Sequence, residues 1–572
     1  MKDKKIIILS IVGVLLLVSI VVATSYAYFT ANVSGNKDTN NVVVTNGVMA
    51  LEYKDGDEIN LANAIPGSSV SKTFTVKNTG NVATNYTIYF SELSNKFVDK
   101  TDLVYTLTSS DGGKNVAQTQ VPSTNEAMVS NYAIEAGKTH TYTLTITFLD
   151  KDENQDDNQG VSFSTKVAIN ETKEFVEPLD IDVELAQGMI PVKLDAYGNA
   201  VVVDSNSEWY DYEAHEWANA VLVNCADSTI KSKYFDSNNK VLASAVGKTI
   251  SMDEIMQMYV YIPRYKYQLF NAEDGTSVEQ AINITFESKT TAKSTGTKNG
   301  EWLTHPAFTF GDKELAGIWV GKFETSNTSA LPKIVPNVSS LREMNVSAQF
   351  NTSRLMTTTL ASTYGTSTND DSHMMKNMEW GAVAYLSSSI YGRYINSSTC
   401  IDSGCEVWIN NNSGYTTGCA GSSVSSGQAS TCNAWNTATG VNASTTGNIY
   451  GIYDMSGGAW EYVMGNYNDT IGSAGFSSMP EAKYYDKYTG TDSSSDFTKY
   501  HLGDATKETL KTKSAGRNAW YQDYSYSVSS SNPWVGRGGY YNGSADAGLF
   551  VFHFDDGGSY RYNSFRVVFG AL

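Results

Sequence analysis

The residues best suited to metal or nucleophilic chemistry in this chain are its five cysteines and six histidines. Four of the cysteines lie in a stretch rich in Ser, Gly and Asn, at Cys400, Cys405, Cys419 and Cys432. Structural zinc sites usually contain a C-x-x-C pair, and these spacings contain none. Disulfide bonds are therefore favoured, with three pairings open. The remaining cysteine, Cys225, is expected to be buried or to be a free thiol.

The histidines do not form a pattern typical of a catalytic or metal site. No two of them lie within one helical turn in sequence; they are His140, His215, His305, His373, His501 and His553. The G-x-S-x-G, glycine-rich phosphate-binding and H-E-x-x-H motifs are also absent. Two carboxylates distant in sequence could still meet as in a glycosidase, but no motif indicates such a pair. We therefore expect no catalytic residues and no required cofactor.

The segment with the composition of a binding surface is the C-terminal stretch, residues 532–572. It is rich in Tyr, Ser, Asn and Gly, the residues that binding loops favour. A period of two in residues 549–555 predicts a strand with phenylalanines on one face and the intervening residues on the other. The alternative is that this segment is only the final hairpin of its domain. The candidate ligand-binding residues are Val535, Tyr540, Tyr541, Asn542, Ser544, Asp546, Leu549, Val551, His553, Asp555, Asp556, Ser559, Arg561 and Tyr562.

Within that set the side chains have two expected roles. Tyr and Arg dominate the energetics of interfaces, so the expected anchors are Tyr540, Tyr541, Tyr562 and Arg561. Smaller polar and charged side chains would set specificity; they are Asn542, Ser544, Asp546, His553, Asp555 and Asp556.

Four segments resemble the formylglycine-generating-enzyme/sulfatase-modifying-factor family, which has a C-type-lectin-like fold. They are LAGIWVGKFETS (315–326), HMMKNMEWGAVAYL (373–386), TGNIYGIYDMSGGAWEYV (446–463) and the frame W-x-x-R-G-G, A-G-x-F-x-F, S-F-R-V-V (534–568). More narrowly, the frame is similar to variable proteins diversified by retroelements, in which scattered codons of this segment are mutagenised. The resemblance implies a C-type-lectin-like domain over residues 301–572 with a variable ligand-binding segment at 534–568.

The same resemblance bears on catalysis and metals. The family's oxidase binds copper through two cysteines near the end of the domain, whereas this chain has no cysteine after Cys432. The resemblance therefore implies a binding protein and not an enzyme. Lectin-like domains often hold structural calcium, for which Asp454 and Glu461 are candidate ligands. An N-capping or solvent-facing role for Asp454 is the alternative.

Composition limits the class of protein and of partner. At 572 residues the chain is expected to form two or three domains. Its 36 tyrosines and 46 glycines, with 18% charged residues, indicate β-rich extracellular material and not disorder. The net charge of −19 argues against nucleic acid as a partner, because phosphate binding needs clustered Lys and Arg.

Taken in order, the chain predicts a mainly β protein with an α+β C-terminal domain. Residues 1–27 combine N-terminal lysines with an uncharged apolar run, which is typical of a signal peptide or an N-terminal membrane anchor. Alternation in residues 28–176 predicts a β-sandwich, and SYAYFTANVSGN with KTFTVKNTGN resembles camelysin-like secreted proteins. Residues 177–300 are expected to be a linker and a β-rich region. Helical spacing predicts the main helix over Lys376–Tyr391.

These features predict an exported cell-surface protein, either secreted or anchored in the membrane by its N-terminal segment. Its C-terminal face would bind an external protein or glycan. Two alternatives stay open: a formylglycine-generating-type oxidoreductase with unusual metal ligands, and a structural fibre or adhesin subunit.

Overall fold

The computed structural model describes residues 32–34, 51–54, 59–61, 65–79, 84–123, 126–151, 153–172, 181–207, 209–273, 275–401 and 404–570. These residues form a mainly β protein, with 35% strand and 13% helix. The chain divides into two compact units, Met1–Pro178 and Leu179–Leu572. No helix among the described residues is both long and apolar enough to cross a membrane. The candidate signal peptide or anchor at 1–27 lies outside them.

The first unit contains two antiparallel sheets. One has the order Asn32–Ser34, Phe163–Thr172, Thr84–Asn95 and Ala127–Ile134, with Ile59–Leu61 also paired to Phe163–Thr172. The other has the order Leu51–Lys54, Ser69–Asn78, Thr139–Phe148, Leu103–Ser109 and Val116–Gln120. Residues from both sheets contribute to a single hydrophobic core, which is compatible with the expected β-sandwich, and we call this unit the sandwich.

The alternation seen in the sequence of this unit corresponds to alternate burial. Along Thr139–Phe148, every second residue from His140 to Phe148 is buried and the intervening threonines are half-buried. Thr145 pairs with Ser71 on the neighbouring strand, and their hydroxyls lie 2.8 Å apart. β-Branched threonines suit the outer face of a pleated sheet, whereas Leu144 and Ile146 face the core.

The second unit is organised around two larger sheets. The first has eight antiparallel strands in the order Thr249–Ile250, Ala200–Val202, Ile190–Leu194, Asn219–Val223, Ile255–Pro263, Gly317–Gly321, Val567–Gly570 and Asp371–Met374. Residues 190–263, expected to belong to a separate region, thus share one sheet with the C-terminal strand. Ile190–Leu194 pairs with Ala200–Val202 in a hairpin whose turn contains Gly198.

The second sheet of this unit carries the C-terminal segment. Its order is Asp486–Tyr488, Trp460–Tyr467, Trp534–Gly538, Gly548–Asp555, Tyr524–Ser525 and Gly516–Arg517, with Asn563–Phe565 also paired to Trp460–Tyr467. Smaller sheets contain Ile284–Phe286, Tyr265–Gln268 and Trp302–Thr304; Thr309–Phe310 and Lys313–Glu314; Ser326–Thr328 and Leu331–Lys333; Tyr394–Asn396 and Thr399–Cys400; and Cys419–Ala420 and Asn433–Ala434.

The α-helices of the described residues all lie in the second unit; they are Ser228–Tyr234, Val346–Ser353, Ala361–Tyr364 and Asn377–Ser387. The predicted main helix is confirmed at Asn377–Ser387, where every residue is buried. It ends at Ser387, earlier than the expected Tyr391, and Ile390 beyond it is 45% exposed. Glu379 accepts the backbone N–H of Lys376 at 2.8 Å and so closes the first turn.

Candidate functional site

The floor of the candidate site is a row of residues in register across three strands. Tyr462 lies opposite Gly536, and Gly536 lies opposite His553 on the next strand. Gly536 has no side chain, and a Cβ added there would lie 3.6 Å from the Trp460 ring. That distance is an ordinary van der Waals contact, so the indole of Trp460 lies directly over the strand at Gly536.

Two buried arginines of the C-terminal frame fix these strands from below. The Arg537 Nε donates to Asn377 Oδ1 at 2.7 Å, and its Nη1 donates to the Val551 carbonyl at 3.0 Å. The Arg566 Nε donates to Glu461 Oε2 at 3.0 Å. Each guanidinium is 0% exposed, and its donors are shared among several segments of chain. The floor is consequently rigid, which lowers the entropy cost of binding.

Above this floor lies a cleft of about 810 Å³, and we use "the cleft" for this site throughout. Its volume falls within the roughly 300–1,000 Å³ that small-molecule and cofactor sites occupy. The lining residues come from four separate parts of the second unit; they are Arg342, Glu343, Tyr415, Trp460, Tyr462, Asn532, Gly536, Tyr540, Tyr541, Asn542, His553, Phe554, Asp555, Arg561, Tyr562 and Asn563.

Aromatic rings form a continuous path along the cleft. Tyr415 meets Tyr541 edge to face at 4.8 Å between ring centroids, and Tyr541 meets Tyr540 at 5.5 Å. Tyr540 then lies nearly parallel to Trp460, with centroids 6.5 Å apart, and Trp460 lies 5.3 Å from His553. These contacts hold the rings in place before any ligand arrives.

The ionisable groups of the floor tend towards their neutral forms. Burial lowers the pKa of His553, so its imidazole is uncharged at neutral pH. Burial raises the pKa of Asp555, although its carboxylate accepts the N–H of Asp556 at 2.8 Å and the Asn563 amide at 3.1 Å. The charges that this wall presents are therefore few and already hydrogen-bonded.

The opposite rim depends on a residue that the sequence did not single out, Arg342. Its guanidinium carbon lies 3.8 Å from the centroid of the Tyr415 ring, and its Nη1 donates to the backbone carbonyl of Arg561. The neighbouring Glu343 N–H donates to the Tyr560 carbonyl at 3.2 Å. Arg342 therefore joins three segments that are distant in sequence, and no local pattern could have revealed it.

The structure brings many of the predicted ligand-binding residues together in the cleft. Those that line it are Tyr540, Tyr541, Asn542, His553, Asp555, Arg561 and Tyr562. Sequence reasoning missed the lining residues Trp460, Tyr415, Tyr462, Phe554, Asn532, Asn563, Gly536, Arg342 and Glu343. Trp460 lay within a family-like motif, and its aromatic character was the one signal available for it.

Three of the predicted residues face the interior and not a ligand. Val535, Leu549 and Val551 are 0%, 4% and 0% exposed. The expectation of an outward face was wrong for Leu549 and Val551, because Gly548–Phe552 is buried at every position, whereas His553 and Asp555 further along the strand line the cleft. The backbone carbonyl of Leu549 accepts the Trp380 indole N–H at 2.8 Å, and that of Val551 accepts from Arg537.

The other predicted residues lie outside the cleft lining. Ser544 and Asp546 belong to a short 3-10 helix, and Asp546 accepts from Arg517 Nη2 at 2.9 Å. The Asp556 carboxylate accepts from the Gly558 N–H at 2.8 Å and from the Tyr560 hydroxyl at 3.1 Å. Ser559 is exposed.

The candidate calcium ligands do not fit a cation. Asp454 Oδ1 accepts hydrogen bonds from the Asn410 amide and the Gly418 N–H, both at 2.8 Å. Glu461 is paired with Arg566. Donors that point at a carboxylate occupy the directions a metal would need. Within the described ranges, no group of three or more His, Cys, Asp or Glu residues is arranged to hold a metal ion.

The cysteines form two local disulfides, which settles the three open pairings. Cys400 is bonded to Cys405, and Cys419 is bonded to Cys432. Cys225 is free and buried, and burial raises the pKa of its thiol. The Cys419–Cys432 bond closes the loop that follows Tyr415, a wall of the cleft.

Comparisons with known proteins add little to this geometry. No family model and no curated protein matches the chain. Among solved structures, 24% of the chain is similar to 35% of the chain in "The 2.6A structure of Infectious Bursal Virus Derived T=1 Particles". The identity is 14% and the TM-score is 0.14. The chain thus spans about a third of that protein, and a likeness at this TM-score carries no argument about fold or function.

Proposed function

We propose that this chain is an exported cell-surface protein that binds an external ligand in the cleft. In this proposal its second unit is a C-type-lectin-like domain of the formylglycine-generating-enzyme/sulfatase-modifying-factor family, of the variable type diversified by retroelements. The first unit is a camelysin-like sandwich, and the N-terminal segment exports the chain or anchors it in the membrane.

The observation that carries the binding proposal is the composition of the cleft. Tyrosines and one tryptophan supply large contact area at low cost in side-chain entropy, and Asn532 and Asn542 supply adaptable hydrogen bonds. The rings that line it are already held by each other and by a buried polar floor. Preorganised aromatic side chains in a concave site are what recognition of a ligand requires.

The convergence of the four motif segments supports the family proposal. Gly317–Gly321 and Asp371–Met374 both pair with the C-terminal strand Val567–Gly570. Trp460–Tyr467 pairs with Trp534–Gly538. Segments selected only by resemblance in sequence therefore form neighbouring strands of one unit.

We further propose that the chain binds without catalysing a reaction. Four of its cysteines are paired and the fifth is buried, so none of these sulfurs is exposed as a copper-binding thiolate. His553 and Asp555 on the cleft wall have their partners within the protein. Stoichiometric copper or iron in the purified full-length chain would contradict this part of the proposal and support the oxidoreductase alternative.

The binding proposal is tested with a double substitution, Tyr540→Ala with Tyr541→Ala. The purified full-length chain is screened on arrays of immobilised extracellular proteins and oligosaccharides. We expect at least one probe to be retained by the unsubstituted chain and its affinity to fall at least about tenfold in the double variant, because both rings line the cleft.

The matched control for that test is Tyr197→Ala. Tyr197 is 76% exposed at the tip of a hairpin and does not line the cleft. It should bind as the unsubstituted chain does, and both variants should unfold at the same temperature. Unchanged binding by the Tyr540 and Tyr541 double variant would place the site elsewhere and refute the proposal.

A further inference from the structure

We propose that the ligand of the cleft is a neutral, linear oligosaccharide, an inference that rests on the proposed function. The first argument is shape. Five aromatic rings contact one another in sequence, and successive centroids from Tyr415 through Tyr541, Tyr540 and Trp460 to His553 lie 4.8, 5.5, 6.5 and 5.3 Å apart. A succession of rings along a concave channel matches a chain of repeating units, each able to contact one ring.

Shape also weighs against a protein ligand. Here the aromatic side chains line a cleft of about 810 Å³. A narrow polymer can enter such a site along its whole length, whereas a folded protein would contact mainly its rim, where Glu343, Asn542 and Arg561 are exposed.

The second argument is charge. The lining contains two arginines, Arg342 and Arg561, and two acids, Glu343 and Asp555. Arg342 covers the Tyr415 ring and donates to a backbone carbonyl, and Asp555 accepts from Asn563. Two of the four charges are thus engaged within the protein, and the four formal charges sum to zero. A strongly charged ligand would lack a cluster of opposite charge in this lining.

The third argument is hydrogen bonding. A sugar hydroxyl both donates and accepts, and so does a side-chain amide. Asn532 and Asn542 line the cleft beside the rings, whereas the amide of the third lining asparagine, Asn563, already donates to Asp555. The C–H groups on the apolar face of a pyranose carry partial positive charge, and the face of an aromatic ring is electronegative. Rings flanked by amides therefore fit a polyhydroxylated ligand on both of its surfaces.

The test measures binding of neutral tetrasaccharides by calorimetry with the purified full-length chain. The probes are cellotetraose, maltotetraose, mannotetraose and tetra-N-acetylchitotetraose. We expect at least one to bind with a Kd below 1 mM that changes less than about twofold between 50 and 500 mM salt, since no ion pair is formed. Trp460→Ala should weaken that binding at least about thirtyfold, as loss of a central aromatic anchor does.

The control variant is Trp302→Ala. Trp302 is a half-buried tryptophan of the same unit that lies under the Lys266 ammonium and does not line the cleft. It should bind the tetrasaccharide as the unsubstituted chain does. A Trp460→Phe variant keeps an aromatic face and should retain part of the affinity that Trp460→Ala loses.

The other outcomes separate this inference from the proposed function. If no neutral tetrasaccharide binds, or if only acidic saccharides bind in a salt-dependent way, the inference is wrong. The proposed function then still stands provided the Tyr540 and Tyr541 double variant loses a protein probe. If a tetrasaccharide binds but Trp460→Ala does not weaken it, the cleft is not the site, and both the inference and the proposed function fail.

Discussion

The two units of this chain keep their strands in place by different means. In the sandwich, the strand Thr139–Phe148 buries alternate residues and leaves the others partly in water. In the second unit, the strand Trp534–Gly538 is buried at every position and contains an arginine. The core between the two sheets of the sandwich is mainly apolar, whereas the sheet beneath the cleft contains a fully buried arginine that needs polar partners.

The two units therefore differ in the interactions that restrict each chain segment to a single arrangement. Four arginines of the second unit are fully buried, and they are Arg264, Arg393, Arg537 and Arg566. A buried guanidinium is costly unless its donors are satisfied, so each one restricts the chain to an arrangement that supplies acceptors. The sandwich core instead consists mainly of Phe, Tyr, Leu, Ile and Val.

The largest effect is expected when one of these arginines is removed. Arg566→Ala takes the guanidinium from Glu461 and from the carbonyls of Gly321 and Tyr453, to which it donates at 2.7 and 2.9 Å. Loss of one partner of a buried pair leaves an uncompensated charge and costs about 3–5 kcal/mol. Denaturant unfolding followed by hydrogen exchange should show this loss in the second unit.

The matched control for that variant is Arg561→Ala in the same segment. The Arg561 side chain is exposed, so its removal should change the free energy of unfolding by less than about 0.5 kcal/mol. If Arg566→Ala were equally mild, or if the sandwich lost protection instead, the contrast between the two units would be mistaken.

The sequence also predicts the strands of the two units unequally well. The sandwich strands could be predicted because one face of each strand is partly exposed to solvent. Apolar and polar residues therefore alternate in the sequence, as in residues 141–148. The helix Asn377–Ser387 was readable from its apolar spacing. Residues 549–555 also show a period of two, but it does not mark a solvent-facing side around Val551, because Gly548–Phe552 is buried at every position.

The next largest effect is expected on the pH dependence of unfolding, because a buried histidine in each unit has a shifted pKa and the two shifts are in opposite directions. Burial disfavours charged His373, but the charge of Glu379 and hydrogen bonds with Asp371 and Glu379 outweigh it and raise its pKa to about 9. In the sandwich, burial lowers the pKa of His140, partly offset by Asp111. The folded state therefore prefers a charged His373 and a neutral His140.

The signs give opposite pH dependences. The unfolded value is about 6.5, so the contribution of His373 is complete below that pH and is lost as pH rises towards about 9. The contribution of His140 is present above about 6.5 and is lost as pH falls below it. His373→Gln should remove up to about 3 kcal/mol of alkaline pH dependence, at 1.36 kcal/mol per pKa unit. Unfolding measured at pH 6, 7.5 and 9 checks this, and an unchanged slope in the variant would contradict it.

The predicted residues of the cleft lie close together in sequence, and those that come from distant segments were not predicted. Tyr540, Tyr541 and Tyr562 were found because they cluster in one short segment of unusual composition. Arg342 and Tyr415 lie about two hundred residues and one hundred and thirty residues before them and reach the cleft only through the fold. Leu549 and Val551 were included among the ligand-binding residues because the two-residue period was interpreted as a solvent-exposed face of the strand. The sequence does not show that the helix containing Trp380 packs against this strand.

The smallest expected effects come from a comparison of one residue in a sandwich strand with one residue in a strand beneath the cleft. Thr145 is on the outer face of its sandwich strand, so Thr145→Val should change the free energy of unfolding by less than about 1 kcal/mol. Val551 occupies the position that alternation assigned to solvent, yet it is fully buried. Val551→Ala should cost about 2 kcal/mol, because burial of a valine side chain contributes about 1.5–3 kcal/mol. The denaturant midpoints of both variants test this difference. Equal, small changes would mean that Val551 faces solvent after all and belongs among the ligand-binding residues.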